Sequence, residues 1–205
     1  FKEHHEEIAA ILVEGSSGTA GIYVYPDGYY KKLERLAKKY NILIIVDEVM
    51  SGYGRTGKFF ASEHYNAEPD LITMAKGLTN GTVPMGAVLI NEKLYKQYDN
   101  NMMATGLTYS GHPLACAVAN ETIDIFNDSD ILSNVIIVED FIKKELQLIK
   151  AKYSHLVKDV RGLGALQCIE LYEDVDLLKI SKSFSDNFMF CYSRNQKIFI
   201  APPLI

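Results

Sequence analysis

Three apolar segments of the 205-residue chain are followed by charged side chains that could do chemistry. Glu14 follows the first segment, Asp47 and Glu48 follow the second, and Lys76 comes shortly after the third. A lysine amine can attack an aldehyde, and a carboxylate can hold a proton on a heterocyclic nitrogen. If the three segments are neighbouring strands, we expect Asp47 and Lys76 to lie close together at the strand tips.

A lysine and a carboxylate in this arrangement meet the main chemical needs of pyridoxal phosphate, an aldehyde with a pyridine ring. The alternative is a structural ion pair between Asp47 and Lys76, because charged residues are common at strand ends. Spacing alone leaves both interpretations open.

A nucleotide site is a competing interpretation of the same region. Residues 42–48 resemble the apolar strand and Asp-Glu pair of a Walker B segment, and residues 52–58 nearly fit a P-loop. However, Phe59 stands where the magnesium-binding Ser or Thr is needed, and a P-loop follows a strand of its own. The sequence therefore disfavours an ATPase.

The surrounding pattern predicts an α/β sheet that would position these residues. Short apolar runs predict four strands, at 8–13, 42–46, 71–74 and 87–90. Helical spacing from Pro26 to Tyr40 predicts a helix between the first two strands, which therefore run parallel. The run 42–46 lacks alternation and predicts a strand buried on both faces. Ligands of such sheets bind beyond the carboxyl ends of the strands.

The pattern changes in the second half of the chain. Here we predict two long helices, a strand, a helix and a last strand, at 114–126, 131–152, 166–171, 177–192 and 197–201. The change of period predicts a domain border, which we place after residue 128, with a smaller α+β domain at 129–205.

Composition excludes several other classes of protein. The chain is 48% apolar with a net charge of −5 and scattered Lys and Arg, so we expect a globular protein without a nucleic-acid partner. No segment can span a bilayer and no signal peptide opens the chain, so we expect a cytoplasmic protein with no membrane partner. Cys116, Cys168 and Cys191 lack metal-site or disulfide spacing, so we expect free thiols and no metal. The sequence begins with Phe1 and not with an initiator Met, so we expect a fragment of a longer chain.

Several long motifs resemble those of the class III, pyridoxal-phosphate-dependent aminotransferases, in the same order. They occupy residues 46–49, 52–58, 69–78, 84–87 and 108–115. The resemblance extends over nearly the whole chain and implies the PLP-transferase fold type I. It makes residues 1–128 the second part of a large cofactor-binding domain with a mixed, largely parallel sheet. Residues 129–205 would then be a linking helix and an incomplete C-terminal small domain.

The resemblance also implies roles for single residues. Lys76 would carry the cofactor and act as general base and acid, and Asp47 would pair with the pyridine nitrogen. Val49 would pack on the ring face. Thr108 would donate to the cofactor phosphate across a subunit interface, which implies a homodimer. Taken alone, Thr108 would more often be an exposed loop hydroxyl.

Substrate contacts are implied less directly. Glu14 stands where the family has an active-site glutamate, although a loop-capping role is the alternative. Arg194 is the candidate for binding the substrate's acid group, although the register puts Tyr192 where many members have their arginine. The family's phosphate-binding glycine-serine pair and its ring-stacking aromatic lie upstream of Phe1.

From this resemblance we predict a pyridoxal-phosphate-dependent aminotransferase. It would move an amino group from an amine or ω-amino acid to a 2-oxo acid such as pyruvate, by a ping-pong mechanism. The motifs are similar to those of the ω-amino acid and taurine–pyruvate branch. The alternatives are a class III aminomutase or decarboxylating relative, or a non-catalytic fragment that lacks the phosphate site.

Overall fold

The computed structural model describes all 205 residues, Phe1–Ile205, and contains two four-stranded sheets. The strands are β1 (Ala10–Glu14), β2 (Leu43–Asp47), β3 (Leu71–Met74), β4 (Ala87–Ile90), β5 (Val157–Leu163), β6 (Leu166–Leu171), β7 (Tyr192–Arg194) and β8 (Lys197–Ile200). The helices are α1 (Tyr29–Tyr40), α2 (Glu92–Tyr95), α3 (Pro113–Asp128), α4 (Ile131–Lys152) and α5 (Leu177–Asp186). Short 3-10 turns cover His5–Glu7, Ala61–Tyr65, Lys76–Thr79 and Lys96–Tyr98.

The first sheet has the strand order β1-β2-β3-β4. Strands β1, β2 and β3 are parallel, and β4 pairs antiparallel with β3. The predicted α/β fold with a mixed, largely parallel sheet is confirmed. Because the three parallel strands end at the same edge, the residues that follow them share one side of the sheet.

Helix α1 packs on one face of this sheet. Tyr30, Leu33 and Ala37 recur at helical spacing, are buried, and form one apolar cluster with Ile44 and Val46 of β2. The alternate β2 residues are only half-buried. The prediction that β2 is buried on both faces was therefore too strong, because an apolar run does not report which face a helix covers.

The second sheet has the order β5-β6-β8-β7 and is antiparallel throughout. Its core joins Leu146 of α4 to Val157 and Val160 of β5, Leu171 of β6 and Ile198 of β8. Burial of these side chains removes apolar surface from water and holds α4 against the sheet.

Two predictions for the second half were wrong in detail. Strand β5 was missed, because its charged residues hide the alternation and a register shift between Val157 and Asp159 breaks it. Helix α5 ends at Asp186, six residues earlier than predicted, and the following segment contributes the edge strand β7.

Contacts between distant segments join the two halves. Arg55 donates to the carbonyl of Pro202, and the Ala165 N–H donates to the Arg55 carbonyl at 2.8 Å. Arg161 Nε donates to the Gly21 carbonyl at 2.8 Å. None of the helices combines the length and apolarity required to cross a membrane.

Candidate active site

The tips of the three parallel strands bring the charged residues together. In the pairing register Glu14 lies beside Asp47, and Asp47 lies beside Thr73. Lys76 follows the end of β3 by two residues. Asp47, Glu14 and Lys76 therefore occupy one edge of the sheet, and no ion pair joins any of them to another charged side chain.

Lys76 has an unusual backbone conformation. Its φ is 43°, in the left-handed region that residues with a Cβ avoid. It opens the 3-10 turn Lys76–Thr79, and its carbonyl accepts from the Gly81 N–H at 3.2 Å. Its side chain is exposed. Non-glycine residues held in such conformations are concentrated at functional sites.

Tyr53 packs against this turn. It is 4% exposed, itself has a φ of 56°, and its hydroxyl lies 3.2 Å from Met74 Sδ at the end of β3. A Cβ on Gly77 would come within 2.6 Å of Tyr53 Cβ, so only glycine fits after Lys76. The loop that follows β2 therefore fixes the backbone beside the lysine.

A groove of about 630 Å³ opens beside Lys76. It is lined by Ala75 and Lys76, by Thr79, and by residues 81 and 83–86 before β4. A groove of this size at the carboxyl edge of a parallel sheet can hold a small organic molecule against the lysine amine.

Asp47 is half-buried and has one hydrogen bond to its carboxylate. Oδ1 accepts from the Val49 N–H at 2.8 Å, which also sets the direction in which the chain leaves β2. The remaining lone pairs can accept a charged N–H from a ligand. Val49 is half-buried immediately after this turn.

Glu14 closes the loop after β1. Its Oε2 accepts from the Gly18 N–H, and its carbonyl accepts from the Tyr30 hydroxyl at 2.6 Å. The loop-capping role that the sequence left open is therefore filled. Its side chain is nevertheless exposed at the same edge as Asp47.

Thr108 and Arg194 are not brought to this edge by any contact within the chain. Thr108 lies exposed in a turn before α3, and Arg194 lies exposed on the edge strand β7 of the second sheet. Tyr192 packs its ring on Phe199, with centroids 5.4 Å apart. The roles assigned to Thr108 and Arg194 remain predictions.

Sequence reasoning assigned no role to Glu48 or Tyr53, although both shape the site. Glu48 is a buried charge after an apolar strand, and this signal marks it as a residue that needs partners. Two of its three partners lie more than ten residues away, so only the fold identifies them. Tyr53 carries no such signal.

Comparison with known protein families identifies the family of the chain. The sequence profile described as Aminotransferase class-III matches residues 1–205. The chain belongs to the class III aminotransferases. The family assignment made from ordered motifs is therefore confirmed.

Individual aminotransferases are similar over most of the chain. The adenosylmethionine-8-amino-7-oxononanoate aminotransferase of Anoxybacillus flavithermus is 43% identical over 182 residues, which are 85% of this chain and 39% of that protein. The putrescine aminotransferase of Pectobacterium atrosepticum is 33% identical over 97% of this chain and 43% of its own. The chain thus spans less than half the length of these curated relatives.

A solved structure extends the agreement to three dimensions. The taurine:2-oxoglutarate aminotransferase of Bifidobacterium kashiwanohense, in complex with PLP and glutamate, superposes with a TM-score of 0.93 at 32% identity. The match covers 100% of this chain and 49% of that one. The fold of this aminotransferase chain is therefore that of pyridoxal-phosphate-dependent transaminases, as the motifs implied.

Proposed function

We propose that the full-length protein is a pyridoxal-phosphate-dependent aminotransferase in which Lys76 carries the cofactor. The observation that supports this most is the Lys76 turn. An exposed amine is held in an unfavourable backbone conformation, beside a groove and at the same sheet edge as Asp47. Family membership supplies the chemical context.

The side chains at this edge fit the ring and aldehyde parts of the cofactor. Lys76 offers an amine without a competing ion pair, and Asp47 offers a half-buried carboxylate with free lone pairs. Val49, next to Asp47, would pack on the ring face. When bound, pyridoxal phosphate supplies an aldehyde that takes up amino groups and a ring that delocalises electrons from a broken C–H bond.

Each residue of the chain would have a limited task in this reaction. Asp47 would hold a proton on the ring nitrogen by a charge-assisted hydrogen bond. Lys76 Nζ would bind the cofactor, and after displacement would remove the proton from the amine-bearing carbon and return it as the acid. The packing of Tyr53 against Gly77 would keep that amine on one side of the ring.

The remaining assignments are proposals of the same kind. Thr108 would donate to the cofactor phosphate of a second subunit, which makes the protein a homodimer. Glu14 and Arg194 would contact the substrate. The division at residue 128 is supported by the placement of the first sheet wholly before it and the second sheet wholly after it.

A covalent trapping experiment tests the cofactor site. The full-length protein is incubated with pyridoxal phosphate, reduced with borohydride and digested, and the modified peptide is sequenced by mass spectrometry. We expect the label on Lys76, and no label in Lys76→Ala. Lys58→Ala, which removes another exposed lysine, should retain it. A label on a different lysine, or none, would refute the proposal.

The donor class is proposed to be an amine or ω-amino acid, with a 2-oxo acid such as pyruvate as acceptor. The names of two relatives include putrescine and taurine, which carry an amino group but no α-carboxylate. Alanine formation from pyruvate and glutamate formation from 2-oxoglutarate would be measured with each donor. Turnover restricted to α-amino acid donors would show that the donor class is wrong.

A further inference from the structure

Glu48 is a buried charge that the proposed reaction does not use. Its side chain is 1% exposed, and no lysine, arginine or histidine forms an ion pair with it. A buried carboxylate is costly unless donors satisfy it, so its surroundings should explain why an acid stands there.

Three donors from two different turns converge on this carboxylate. Oε2 accepts from the Ser51 hydroxyl at 2.6 Å and from the Ala61 N–H at 3.1 Å. Oε1 accepts from the Ser62 N–H at 2.8 Å. These bonds join the loop after β2 to the turn Ala61–Tyr65. A carboxylate suits this position because it can accept all three hydrogen bonds and has no hydrogen to donate.

The same residue contacts the tips of both neighbouring strands. Its N–H donates to the Thr73 carbonyl of β3 at 2.9 Å. On the other side, a Cβ at Gly15, directly after β1, would come within 2.4 Å of the Glu48 carboxylate. Glu48 therefore contacts β3 just before Lys76, and it contacts the residue that follows Glu14 at the end of β1.

Glu48 also starts the loop that supports the lysine turn. Its carbonyl accepts from the Gly52 N–H at 2.9 Å, and the next residue is Tyr53, which packs against Gly77. A shift of Glu48 would therefore move Asp47 directly, through the adjoining peptide, and Lys76 indirectly, through Tyr53.

We propose that Glu48 is a positioning residue whose buried carboxylate fixes Asp47 and Lys76 relative to each other. The inference rests on the proposed function, because it assumes that these two residues hold one cofactor. It assigns Glu48 no contact with cofactor or substrate.

Glu48→Gln in the full-length protein is the main test. The amide keeps the shape of the side chain, but its NH₂ group must face at least one N–H donor, which is left unsatisfied. We expect the dissociation constant for pyridoxal phosphate to rise about tenfold. We also expect the pH midpoint of the visible band of the lysine-bound cofactor to rise. A weaker Asp47 contact lets the ring lose its proton, and the lysine nitrogen then becomes more basic.

Two further variants separate positioning from loss of stability. Ser51→Ala removes one of the three donors and keeps the charge of Glu48. The dissociation constant for pyridoxal phosphate and the pH midpoint should therefore both rise, but by less than in Glu48→Gln. Leu146→Ala opens a cavity in the distant core of the second sheet and should lower the unfolding temperature. It should leave the cofactor affinity and the pH midpoint unchanged.

The outcomes distinguish this proposal from the proposed function. If wild type carries the borohydride-fixed cofactor on Lys76, but Glu48→Gln and Ser51→Ala lose only stability, as Leu146→Ala does, positioning by Glu48 is wrong. If wild type itself carries no cofactor on Lys76, both proposals are overturned. A graded shift in midpoint and affinity, absent in Leu146→Ala, supports the positioning role.

Discussion

The charges at the edge of the first sheet and those on the second sheet are arranged in opposite ways. On β5 and β6, Arg161 lies 3.1 Å from Asp159 and 2.7 Å from Glu170. Lys150 and Lys158 extend this ion network, at 2.9 Å and 2.8 Å from Asp159 and Glu170. At the tips of β1–β3, no such pairing exists for the corresponding acids and the lysine.

The pKa values in the network reflect the pairing. Burial raises the pKa of Asp159, but hydrogen bonds from Lys150 and Arg161 outweigh burial and hold that pKa below its usual value. The hydrogen bond from Lys158 is the main reason for the lowered pKa of Glu170. The charges of the second sheet thus pair with one another, whereas Glu14, Asp47 and Lys76 at the tips of the first sheet have no charged partner.

Matched Asp→Asn substitutions should expose this difference most strongly. Asp47→Asn keeps the acceptor for the Val49 N–H, so the free energy of unfolding of the cofactor-free protein should change by less than about 0.5 kcal/mol. It should lower kcat on the order of 10³-fold, because the ring proton loses its partner. Asp159→Asn should leave kcat unchanged and cost about 1 kcal/mol of stability.

The measurements are steady-state kinetics with saturating cofactor and urea denaturation without it. Equal losses of stability in the two variants would show that the Asp47 carboxylate serves to stabilise the fold, although it has no ion-pair partner.

Arg161→Met should produce the largest loss of stability in the second sheet. The guanidinium contacts two carboxylates and donates to the Gly21 carbonyl, so its removal leaves partly buried acceptors unpaired. We expect a loss of about 3 kcal/mol in the free energy of unfolding. Arg35→Met, which removes an exposed arginine bonded only within α1, should change it by less than about 0.5 kcal/mol. Similar effects of the two variants would mean that the network contributes little.

Acid should weaken the same network. The folded pKa values of Asp159 and Glu170 are below their unfolded values, so the unfolded chain binds more protons as the pH falls. The stabilisation is complete above the unfolded values, about pH 4, and is lost as the pH falls through the folded ones. Urea denaturation between about pH 6 and pH 3 should give a shallower pH dependence for Arg161→Met than for wild type. Identical slopes would contradict this.

The sequence was most informative where burial and chemistry coincide. Apolar runs located β1–β4, and the ordered motifs, together with the charged residues that follow these runs, singled out Asp47 and Lys76. Strand β5 was missed because Lys158, Asp159 and Arg161 point into an ion network, which no apolar period reports.

The features of the site that the sequence did not predict, namely the contacts of Glu48 and Tyr53, depend on long-range contacts. The bonds from Ser62 and Ala61 to Glu48 cross more than ten residues, and the placement of Tyr53 under Gly77 depends on a loop conformation. Such contacts depend on the tertiary fold, so local sequence patterns do not report them.

Each of the two regions contains a non-glycine residue with a left-handed backbone conformation, and the expected effects on stability are the smallest considered. Lys76 has a φ of 43° beside the groove, and Phe188 has a φ of 57° at the end of α5, where Met189 N–H bonds to the Phe184 carbonyl at 2.9 Å. This is the helix-ending position that usually holds glycine. The Phe188 side chain is fully exposed, so it gains no burial in exchange.

Phe188→Gly should therefore stabilise the protein by about 1 kcal/mol, since relief of the left-handed strain exceeds the added entropy of the unfolded chain. Phe190→Gly, at an exposed position without a positive φ, should stabilise nothing. Lys76→Gly should relieve the same strain but abolish covalent binding of the cofactor. If Lys76→Gly instead destabilises the cofactor-free protein, the turn is held by contacts of the lysine side chain. The left-handed conformation of Lys76 would then not be a loss of stability that the protein accepts in order to place the amine.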